Sequence, residues 1–174
     1  MLIQGDVLAV IAFLVGTCFS GWCLTLAYGL LFPNKSQIAK IEVTNKPVKC
    51  ILRGLLIVLT VGLVGFLLVA QVPNPVMKLI GWIDMLAIFT IGALGMAGIA
   101  FHASDRLLTM APEMNPYAAF TRGAGFLIIG CIVPIVGWFA FGPLLYLAAI
   151  GAGTKAVFTR SEEPEVARTP ELAS

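Results

Sequence analysis

Four long intervals of this chain contain no Asp, Glu, Lys or Arg: residues 7–34, 54–77, 85–104 and 123–154. The shortest covers 20 residues, more than the ~18 that mark a helix able to cross the ~30 Å hydrocarbon core of a bilayer. Such segments cannot be left in water, and all 20 charged side chains are confined to what lies between and beside them. The composition agrees, with 59% hydrophobic and 11% charged residues against about 45–50% and 25% in soluble domains. An all-α integral membrane protein follows, built as a four-helix transmembrane bundle with amphipathic interfacial links. The expected spans are about residues 7–32, 51–71, 79–101 and 123–153. Together they form a membrane domain over 1–155, followed by a polar, acidic tail over 156–174 that should be exposed.

A net charge of +2 with no run of five like charges excludes a nucleic-acid-binding arm. The first residues lack a basic stretch, and the apolar run behind them is about twice the ~7–15 residues of a signal-peptide core, so the first span is read as uncleaved. The four cysteines, Cys18, Cys23, Cys50 and Cys131, form no Cys-x-x-Cys pair and read as small buried side chains.

In lipid, apolar burial between helices gains little, so small residues that let backbones approach mark the contacts. Thr17, Gly21, Thr25 and Gly29 form such a stripe on the first span, and Gly92, Gly95 and Gly98 another on the third. Pro33 ends the first span. The link that follows carries Lys35, Lys40, Lys46, Lys49 and Arg53 against one acid, Glu42, and suits a short surface helix or an extended piece whose lysines face lipid phosphates. Ser104 ahead of Asp105-Arg106 reads as the cap of a further short helix, and Asn115-Pro116 as another cap. The fourth apolar stretch would be ~46 Å long as one helix, so Pro134, Gly137, Gly142 and Pro143 point to a kinked helix or two half-helices. With four crossings, the first and third links carry seven lysines and arginines against four in the second link and tail. That count places both termini outside the cytoplasm.

Two polar residues invite a functional reading. Asp84 is the one acid within an apolar span. It is either a proton or cation site beside the broken fourth helix, or a carboxylate near the interface that accepts from Lys78 or Arg53. His102, the single histidine, ends the third span as a hydrogen-bonded interfacial residue or a lone cofactor ligand. No metalloprotease, nucleotide-binding or nucleophile-elbow motif occurs, so neither catalytic residues nor cofactors are expected.

The order of features resembles the four-helix membrane segment attached to some bactofilin-type polymer-forming bacterial proteins. The likeness runs over about residues 30–155. It rests on Asn45-Lys46-Pro47, Ile91-Gly92-Ala93-Leu94-Gly95, Arg122-Gly123, Ile132 to Phe139 and Gly151-Ala152-Gly153. It implies a bacterial inner-membrane protein with an anchoring or scaffolding role. The expectation is therefore a non-enzymatic membrane subunit that forms a homo-oligomer or joins other membrane subunits. The alternative is a small ion or solute channel or transporter using Asp84 and the broken fourth span.

Overall fold

The structure is a computed structural model that describes residues 2–159 apart from 73 and 134, with side chains from residue 7 onward. The expected exposure of the tail beyond residue 159 and any kink at Pro134 lie outside the described residues. All regular structure among the described residues is helical: α1 (Leu2–Leu31), α2 (Pro33–Asn45), α3 (Pro47–Ile57), α4 (Leu63–Gln71), α5 (Pro75–Met110), α6 (Pro116–Ile132) and α7 (Gly142–Phe158). A π-helical turn, Val58–Gly62, makes α3 and α4 one continuous rod, and a second, Gly137–Phe141, leads into α7.

Proline sets where four of these helices begin. Pro33, Pro47, Pro75 and Pro116 each occupy the first helical position, where the missing N–H would have had no partner. Asn74 and Asn115 complete two of the starts. Their side-chain oxygens accept from the backbone N–H groups of Val76 at 3.0 Å and Tyr117 at 2.9 Å. The link after the first span is thus a helix, α2. Ser104 does not start a new one. Its hydroxyl donates to the Phe101 carbonyl at 2.8 Å, and α5 runs unbroken for 36 residues, ~54 Å, well past the end of its apolar part.

Four helices, α1, α3–α4, α5 and the 137–158 rod, are long and apolar enough to cross a membrane, while α6 is apolar but shorter. The fourth apolar stretch is not a single kinked crossing. Residues 133–136 separate α6 from the rod that ends in α7, and the two run in opposite directions. The start of α6 lies beside the lower ends of α1 and α5: Phe120 stacks on Phe101 at 4.2 Å and fills the space over Gly29. The end of α6 reaches the upper part of α1, where Ile132 and Trp138 share a groove with Phe13 and Leu14. From there the chain returns, and Lys155 of α7 meets Glu42 of α2. Gly137 allows this reversal, because a Cβ there would strike the carbonyls of Gly130 and Cys131 at 2.6 and 2.7 Å. Ile135 has a left-handed φ of 67°, a costly conformation for a β-branched residue. Gly142 and Pro143 then form the first turn of α7 rather than a kink.

Four helices are long and apolar enough to span, the shorter α6 runs alongside them, and the far end of α7 lies on the side of α2 instead of beside the start of α1. Lys35 confirms the placement, donating from Nζ to the carbonyls of Val157 at 3.3 Å and Thr159 at 2.8 Å.

Candidate functional site

The lower end of the bundle holds the closest packing and most of the charge. Gly95 of α5 lies directly on the backbone carbonyl of Ala149, and Gly153 of α7 on that of Ile91. On its other face α7 meets α3 in the same way, Gly54 against Leu147 and Gly151 against Cys50. Gly98 admits α2, since a Cβ there would lie 2.6 Å from the Ala39 Cβ and 3.0 Å from the Ser36 carbonyl. Gly92 faces the Tyr146 ring at 3.2 Å. The stripe on α5 thus marks real helix contacts. That on α1 is looser: Thr17 is exposed, Gly21 would meet only the tip of Ile128 at 3.6 Å, and Thr25 and Gly29 are buried.

Because α2 lies so close, its inner face is Ser36, Ala39 and Glu42, spaced three apart and all buried. Glu42 is the residue that sequence reasoning missed. Its side chain is 9% exposed, with one oxygen 2.7 Å from Lys155 Nζ and the other 3.4 Å from the Arg53 guanidinium. Arg53 also reaches the Gly151 carbonyl at 3.4 Å. Burial alone would raise the Glu42 pKa, but the hydrogen bonds and charges of Lys155 and Arg53 outweigh it and hold the carboxyl below its ordinary range. One acid between two cations leaves a net +1 and ties α2, α3 and α7 together. The only sequence signal was a solitary acid amid five cations.

His102 sits on α5 opposite α2, with Nδ1 3.0 Å from the Thr44 hydroxyl. The Thr44 hydroxyl also lies 2.8 Å from the Lys40 carbonyl one helical turn back. The Thr44 contact gives His102, inside α5, a hydrogen-bond partner on α2. Beside it, Lys40 pairs with Asp105 at 2.5 Å. These residues border a basin of about 340 Å³ between α2 and the lower part of α5.

Asp84 lies in the N-terminal part of α5. It faces Gly65 of α4 rather than the α6–α7 break. Arg53 is engaged with Glu42, and among the described residues the buried Asp84 Oδ2 has no hydrogen-bond partner. Gly65 makes room for that oxygen, because a Cβ there would collide with it. Nor do the described residues bring together three side chains of His, Cys, Asp or Glu that could hold a metal ion.

The reversal of α7 also redistributes the charge. Of the nine described lysines and arginines, Lys35, Lys40, Lys46, Lys49, Arg53, Arg106, Arg122 and Lys155 lie toward the lower end, and only Lys78 is at the upper end, just past the α4–α5 link. Comparison with known protein families, with curated protein sequences and with solved structures finds no match for this chain.

Proposed function

We propose that the protein is a non-enzymatic integral membrane subunit, a scaffold or anchor that assembles with further copies or with other membrane subunits. The observation that carries this reading is the unequal packing of the helices. In α5, 44% of the apolar window is buried within the chain, whereas in α1 none is, and Phe13 and Phe19 point outward at 73% and 62% exposure. A helix that contributes so little to its own fold and is still apolar all round suits a contact with another membrane helix. The resemblance to a bacterial membrane segment supports an inner-membrane location.

The charge distribution supports an orientation as well. Lysine and arginine are retained on the cytoplasmic side of membrane proteins, and a bias of eight to one among the described residues supports α2 and the end of α7 on the cytoplasmic side and the start of α1 outside.

The test uses Gly16, where an added side chain would meet nothing within 4 Å in this chain. Gly16→Leu should leave the subunit folded and abolish the assembly seen by native mass spectrometry after mild extraction. A wild-type protein that is monomeric and free of partners, or a variant that assembles normally, contradicts the scaffold reading.

A second reading rests on Asp84. A buried carboxylate oxygen without a partner suits a group that binds a proton or a cation, and supports a small channel or transporter. Reconstituted vesicles showing a flux that disappears in Asp84→Asn would favour it over the scaffold.

A further inference from the structure

The basin between α2 and α5 lies where α5 leaves its apolar segment at Phe101 and continues as a polar helix. In a bilayer crossed by the apolar part of α5, this is the depth at which lipid phosphates would sit. Lys40, Asn45, Arg106 and Thr109 border the basin together with Asp105 and His102. Asp105 is neutralised by Lys40, and Arg106 makes no ion pair among the described residues, so the lining carries a net charge of +1. One edge of the basin is apolar. Ile41 on α2, which lines it, is 57% exposed.

We propose that this basin binds the headgroup of an anionic phospholipid, with the phosphodiester held by Arg106 and the Asn45 amide and the acyl chains laid along Ile41. Three features select that occupant. A phosphodiester carries a single negative charge, which matches the net +1 of the lining. With Asp105 paired to Lys40 no free anion remains for a quaternary cation, which Arg106 repels, so phosphatidylglycerol fits and phosphatidylcholine does not. Free phosphate has the charge but nothing to cover the exposed apolar edge. The site stands independently of the scaffold reading, because it needs only that the helices span a bilayer.

The test is native mass spectrometry of the full chain, delipidated in mild detergent and offered equal amounts of phosphatidylglycerol and phosphatidylcholine. Wild type should retain one phosphatidylglycerol in preference to phosphatidylcholine by about five-fold, the effect of one cation near a lipid phosphate. Arg106→Gln should reduce that preference and Asn45→Ala, at a separate exposed position, should weaken retention of phosphatidylglycerol, whereas Lys78→Gln at the opposite end should do neither. Excess inorganic phosphate should fail to displace the lipid. The proposal is overturned by equal retention of the two lipids, by unchanged preference in folded Arg106→Gln, by unchanged retention in folded Asn45→Ala, or by displacement with phosphate alone.

Discussion

Glu42 shows how a single side chain can be decisive where its neighbours look merely solvated. A buried carboxylate stripped of its cations would be costly, whereas here Lys155 and Arg53 both reach it and remain 41% and 38% exposed themselves. Glu42→Gln removes the charge and leaves two cations facing each other. With both able to reach water, the expected loss is about 1–3 kcal/mol rather than the 3–5 of a fully buried pair. The sign of the pH dependence follows from the lowered pKa. The stabilisation is fully present above the unfolded value near ~4.3 and is lost as pH falls through the lower folded value. Thermal unfolding in detergent should show part of the acid loss of stability in wild type missing in Glu42→Gln; identical acid limbs would show that the clip contributes nothing. Asp84 behaves differently. Its buried oxygen has no partner to lose, so on the scaffold reading Asp84→Asn should change stability by no more than about 1 kcal/mol, the scale of one hydrogen bond. A larger loss in the same assay would mean that the carboxylate is held by an interaction unaccounted for here.

At the scale of the helices, small residues sort into two kinds that look alike in the sequence. Gly95 and Gly21 both belong to regular stripes, but Gly95 rests on a neighbouring backbone and Gly21 near the flexible tip of Ile128. A backbone cannot move aside as a side chain can. Gly95→Leu should therefore cost more than the about 1–3 kcal/mol of ordinary overpacking, and Gly21→Leu should cost less than Gly95→Leu. Equal Tm values for the two would refute the distinction. Helix starts were legible because proline and asparagine act locally: Pro33, Pro47 and Asn115-Pro116 each set a boundary from their own chemistry. The inward turn of Glu42 was not legible, since it depends on α7 arriving with Lys155 from 113 residues away. Ser104 was misread for a related reason: in isolation it favours a cap, and only the closeness of Gly123 on α6, whose Cβ would lie 3.1 Å from its backbone N, shows why a small residue inside a continuous helix is wanted.

For the whole molecule, the consequential difference between sequence and structure is one reversal. The hydropathy of residues 123–153 required at least one pass, and the excess length with its glycines and prolines signalled irregularity. Whether irregularity means a bend or a return depends on packing, here on Gly137 fitting against Gly130 and Cys131. A return changes the parity of the chain. It moves Lys155 to the side of Lys40 and, among the nine described lysines and arginines, turns a charge asymmetry of seven against two into one of eight against one. The most direct measurement is cysteine accessibility in a background with Cys18, Cys23, Cys50 and Cys131 replaced, using an impermeant reagent on intact cells. Single probes at Lys40, Lys78 and Thr159 report the two ends of the bundle. The account predicts that Lys78→Cys is labelled in intact cells, whereas Lys40→Cys and Thr159→Cys are both labelled only after permeabilisation; opposite responses at positions 40 and 159 would contradict it.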